Sequence, residues 1–110
     1  MACKNLHVIT NYTATAGSTM LNLTFSRPVR TVTDRQRFCI KFCVDIPEIY
    51  EDYTVQVIIN EAGVPLWDKY GNPLKVSDLR KGTVYQGYYG STTSHIILNA
   101  PKYTGCNCAV

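Results

Sequence analysis

The chain has 110 residues, enough for one domain with a real hydrophobic core and too few for two. Its net charge of +3 is too mild to argue for nucleic acid. Charged residues make up 17%, below the ~25% of an average soluble protein, so much of the surface is uncharged or covered by a partner.

No apolar run approaches the roughly 20 residues of a membrane helix. The first residues, MACKNLHVITNY, show no basic region followed by an apolar stretch, so no signal peptide is expected. Leu6 to Thr10 reads as a first short strand, followed by a polar hinge through Ser18. Met20 to Ser26 alternates, with Leu21, Leu23 and Phe25 on one face, as a strand with one buried side does. Arg27-Pro28 ends it and opens a polar, basic loop.

Gln36 to Ile46 is the most strongly patterned strand, with Phe38, Ile40, Phe42 and Val44 facing one way and Arg37, Cys39, Lys41 and Cys43 the other. Pro47 removes a backbone donor and stops pairing, leaving Pro47 to Asp52 as a loop or a single helical turn. Tyr53 to Asn60 alternates again, and Glu61-Ala62-Gly63 reads as the turn into a strand over Val64 to Asp68. Gly71-Asn72-Pro73 marks another turn, and Asp78 to Gly82 leads into a strand over Thr83 to Tyr89. Gly90-Ser91 turns the chain into a last strand, His95 to Leu98, and residues 100–110 read as an irregular tail or arm. The pattern predicts a single all-β domain over 1–110, an antiparallel β-sandwich or small barrel of seven to nine short strands.

Five cysteines are the first candidates for chemistry. Cys39 and Cys43 share a face, but four residues of strand span about 13 Å, too far for a mutual disulfide or a shared zinc. Cys106 and Cys108 form CxC, which is not the usual zinc-knuckle spacing. A composite site could form if the tail folded back to meet Cys3, Cys39 or Cys43, with His7 or His95 completing it. The reading adopted is reduced thiols, with no metal and no cofactor; a structural disulfide is the first alternative and a metal site the second. Any metal would fall to Cys39, Cys43, Cys106 and Cys108.

Arg27, Arg30, Arg35 and Arg37 crowd one loop, where guanidinium groups suit an acidic partner, though a solvated loop with Asp34 as counter-ion explains them as simply. On the Thr83–Tyr89 strand, Tyr85 and Tyr89 share a face with Gly87, which suits aromatic pairing inside the sheet. Tyr88 points the other way with Gln86 and stays open for contact, as does Trp67. Ser94 and His95 are adjacent, so on a strand they face opposite ways and cannot act as nucleophile and base. Neither HExxH nor GxSxG occurs, and the carboxylates are scattered in loops, so no enzyme is expected.

The run Asp78-Leu79-Arg80-Lys81-Gly82-Thr83-Val84-Tyr85, with Gly87-Tyr88-Tyr89-Gly90 after it and Leu66 to Leu74 before it, resembles small β-rich virion proteins of tailed bacteriophages. The resemblance covers about residues 66–98. It implies a non-enzymatic structural protein that assembles into or decorates a capsid or tail, and no catalytic residues come with it. The expected location is the virion, after synthesis in the host cytoplasm. The expected partners are copies of this chain and other virion proteins, with no nucleic acid and no membrane, in a homo-oligomer or on a lattice. Contacts are expected at strand edges, at the terminal arms, and at Tyr88, Trp67, Arg27, Arg30 and Arg35. The alternative is a small carbohydrate- or ligand-binding β-sandwich with a site lined by Trp67 or Tyr88.

Overall fold

The computed structural model describes residues 6–103 and 108, with side chains described over residues 6–99 and at 108. Seven strands make up most of it: β1 (Leu6–Ala14), β2 (Met20–Phe25), β3 (Arg37–Phe42), β4 (Thr54–Ile59), β5 (Ala62–Trp67), β6 (Thr83–Gly90) and β7 (His95–Tyr103). Two short 3-10 turns, Glu48–Tyr50 and Val76–Asp78, sit in the longer connections. The strands close into one barrel in the order β1-β2-β4-β5-β7-β6-β3.

The all-β small barrel expected from the alternation is therefore what the chain forms. Its pairing is mixed, however, and not wholly antiparallel. β1–β2, β4–β5, β6–β7 and β3–β6 run antiparallel, whereas β1–β3, β2–β4 and β5–β7 run parallel. Geometry requires this. Each antiparallel ladder reverses direction, so a closed ring needs an even number of them. A ring of seven strands must then contain at least one parallel pair. Three hairpins joined side by side through parallel seams, with β3 as the closing stave, satisfy that condition.

Seven tilted strands leave an interior that side chains alone can fill. Ile9, Leu21, Leu23, Phe38, Ile40, Val55, Val57, Leu66 and Ile96 are buried almost completely there. They are alternate residues of their strands, which is why the period of two was so clear in β2, β3 and β4. Following the strand directions places residues 26–36, Asn60–Glu61 and residues 91–94 at the end where β1 begins, the near end. The far end carries residues 15–19, 43–53 and 68–82. Far-end packing is aromatic: Tyr50 meets Tyr12 and Tyr53 edge-on, with ring centroids 6.0 and 5.0 Å apart.

Four boundaries differ from expectation. β3, expected to run on to Ile46, ends at Phe42, because its antiparallel partner β6 begins at the facing Thr83. The β4–β5 turn is Asn60–Glu61, both at positive φ (50° and 67°), and not Glu61 to Gly63. Two residues at positive φ match the right-handed twist of the flanking strands, and asparagine tolerates that conformation well. Gly63 lies inside β5, where the Gln56 amide covers the place a side chain would take. β1 continues to Ala14, through the polar hinge, because its ladder with β2 runs on past a bulge. β7 continues to Tyr103, where an irregular tail from about residue 100 was expected, because β6 is long enough to pair with it there. Among the described residues no helix is long and apolar enough to cross a membrane.

Candidate ligand-binding groove on the outer sheet

The ladders align four outward side chains in a row across β5, β7, β6 and β3. Trp67 lies opposite Ile97, Ile97 opposite Tyr88, and Tyr88 opposite Arg37. Their inward neighbours Leu66, Ile96, Leu98 and Phe38 fill the core, which fixes the outward direction of the row. Directly opposed residues on antiparallel strands hold their Cβ atoms about 4.5–5.5 Å apart, so the Tyr88 ring and the Arg37 guanidinium emerge side by side. Tyr88 is 38% exposed, high for a large hydrophobic residue in this protein.

A groove of about 510 Å³ opens beside this row, lined by Arg35, Arg37, Gln86, Gly87, Tyr88 and Asn99. Gly87 contributes backbone only, its Cβ position lying on the Phe38 side of the sheet against the Ile97 carbonyl oxygen and, at 2.9 Å, a Leu98 methyl. Arg35 is placed by backbone geometry. Its φ is 62°, its N–H donates to Tyr89 O at 2.7 Å, and Tyr89 N–H donates to Gln36 O at 2.9 Å. The loop is thus zipped onto the end of β6 with a left-handed residue at the junction, a conformation that costs an L-residue about 1–2 kcal/mol. Asp34 pins the same loop by accepting from the Ser91 backbone N–H at 2.9 Å. That bond, joined by the Ser91 side chain and the charge of Arg35, holds the Asp34 carboxyl below its usual pKa. Among the described residues no carboxylate lines the groove, so its two guanidinium groups give it a positive field.

The structure divides the residues singled out in the sequence. Arg35 and Tyr88 come together in the groove. Arg27 and Arg30 line a separate opening of about 770 Å³ at the near end, with Leu6, His7 and Gln36 among its walls. Trp67 belongs to the outer row but is half-buried, stacked on His95 with ring centroids 3.9 Å apart and planes inclined by 26°. His95 is itself buried, and its ring nitrogens contact Thr93. Tyr85 points inward, its hydroxyl accepting from Arg80 N–H at 2.9 Å, and Tyr89 packs against the core. Gln86 and Asn99 complete the groove. Gln86 had an outward parity signal in the sequence, whereas nothing in the sequence marks Asn99.

The reduced-thiol reading is overturned. Cys43, just past β3 at the far end, is disulfide-bonded to Cys108, with Cα atoms 5.5 Å apart. Cys39 is disulfide-bonded too. β7 runs parallel to β1 and β3, so it ends where β3 finishes, the end at which Cys108 meets Cys43. Cys106 lies outside the described residues, as do residues 1–5 and therefore Cys3. With Cys39, Cys43 and Cys108 oxidised they are not thiolate ligands, which removes the metal reading built on them. Among the described residues no cluster of three or more His, Cys, Asp or Glu side chains is placed to hold a metal.

Closure of the barrel removes most strand edges as contact points; the exception is the β5–β7 seam, which is paired only at Leu66–Ile96 and Trp67–Ile97. The expected N-terminal arm lies outside the described residues. Compared with protein-family models, curated proteins and solved structures, the chain gives no match.

Proposed function

We propose that the chain is a non-enzymatic structural protein that assembles into, or decorates, a larger particle, a phage capsid or tail on the resemblance in residues 66–98. The observation that carries this reading is the far end of the barrel, where Ile49 and Tyr70 are each 77% exposed. Both stand on loops laced together by Ser77 N–H donating to Glu51 O at 3.0 Å, so the apolar side chains are displayed on a braced surface. Large apolar groups held out in water on a rigid support suit burial against a neighbouring subunit. Disulfides persist in oxidising surroundings, among them virion surfaces, which supports a particle-exposed location.

The test is molar mass in solution by size exclusion with light scattering over a range of concentrations. Trimers or larger species are expected, and Ile49→Glu with Tyr70→Glu should shift them to monomer. A monomer at every concentration, matched by the double variant, would count against self-assembly. A second reading, a saccharide-binding module, is favoured by the groove, where an exposed aromatic ring meets planar amides.

A further inference from the structure

We infer that the groove between β3, β6 and β7 is a binding site for an acidic sugar, a pyranose carrying a carboxylate; this rests on the saccharide-binding reading above. The Tyr88 ring is the only exposed aromatic surface among the groove's lining residues, and a pyranose ring stacks on such a face through its C–H groups. Arg37 stands directly across the ladder from it and Arg35 beyond it on the zipped loop. Two guanidinium forks beside one ring match a carboxylate attached to that ring, because the fork binds both oxygens at once. Arg37 is not committed elsewhere by an ion pair among the described residues, where the salt bridge is Lys81 to Asp45; Arg35 has the exposed Asp34 carboxylate beside it, itself held by Ser91.

Gln86 and Asn99 supply the remaining recognition. Each amide offers donors and an acceptor in one plane, the pattern sugar hydroxyls require. The volume, about 510 Å³, falls within the roughly 300–1,000 Å³ of small-molecule sites. An acidic peptide fits less well, because β6, which runs beneath the groove, is already paired on both sides there. Nucleic acid fits less well too, because a single exposed ring gives no run of stacking platforms.

The experiment is an amide NMR titration of the full-length oxidised protein with an oligouronate, with the neutral oligosaccharide of the same linkage and with a nucleoside monophosphate. Oligouronate is expected to shift resonances around Arg35, Arg37, Gln86, Tyr88 and Asn99. Binding should weaken at least tenfold in Arg37→Gln and weaken with added salt. Arg37 is exposed, so an unchanged unfolding midpoint verifies that this variant folds. Equal binding of acidic and neutral sugars, unaffected by Arg37→Gln, would overturn the acidic assignment and leave the saccharide reading standing. Tighter binding of the nucleotide would overturn it in favour of a phosphate ligand. No perturbation by any of the three would overturn both.

Discussion

His7 sits between two phenylalanines, its ring 5.1 Å from Phe38 and 5.5 Å from Phe25, with a buried Nε2 that has no hydrogen-bond partner among the described residues. Burial favours the neutral imidazole and lowers the pKa. Arg27 and Arg30, lining the same opening, add no counter-charge that would offset this. The sign of the pH dependence follows. The folded state resists protonation more than the unfolded chain does, whose histidine titrates near 6.5. Stability from His7 is thus full above that value and declines as pH falls from it toward the lowered folded pKa. Thermal unfolding measured between about pH 7.5 and 5.5 should show a steeper loss in the wild type than in His7→Phe. Parallel curves for the two proteins would remove this account. The sequence showed which way Tyr88 and Gln86 face, because parity is local. It did not show that Arg37 would stand beside Tyr88, because Phe38 is the neighbour along the strand and the aromatic partner arrives across the ladder.

Between β6 and β7 the sheet comes closest to failing for want of space. Phe38 fills the interior opposite Gly87, and two register irregularities in β6–β7 draw the Ile97 carbonyl over the position a Cβ would occupy. Gly87→Ala should therefore cost about 1–3 kcal/mol, the usual penalty of overpacking a tight interior. Denaturant melts would register this as a lower midpoint with an unchanged slope, and a neutral substitution would show that the strands can part freely. Element boundaries were legible where alternation was strict, as in β2 and β4. They were misplaced where a glycine served packing instead of turning. Gly63 drew the predicted turn toward itself, whereas the chain turns at Asn60–Glu61 with no glycine at all.

For the molecule as a whole, alternation of the core strands was enough to foresee a small all-β barrel. Parallel seams were not foreseeable, and a disulfide between the tail and Cys43 was open in the sequence but not chosen, since both depend on which strands meet around the ring. The Cys43–Cys108 bridge spans 65 residues of sequence and joins the end of β3 to the tail. A loop of that length removes about 4 kcal/mol of unfolded-chain entropy on the chain-entropy model. Cys43→Ser with Cys108→Ser should lower the unfolding free energy by about 2–4 kcal/mol, and reduction, which opens the Cys39 disulfide as well, by at least as much. Equal melting of the oxidised and reduced proteins would contradict it.

The same bridge also decides how the barrel carries mechanical load. β1 starts at one end and β7, parallel to it, finishes at the other, so a tether at each terminus pulls along the barrel. A tug on the tail beyond Cys108 enters β3 through the sulfur atoms and bypasses β4, β5, β6 and β7 altogether. Those four strands form a closed loop that tension cannot draw out. At about 3.3–3.6 Å per extended residue, roughly 230 Å of chain stays locked until the bridge is reduced. Single-molecule extension should lengthen by at least that amount on adding reductant, which opens the Cys39 disulfide as well. A subunit anchored at both ends would then yield under stress as a short, stiff link while most of its fold stayed intact.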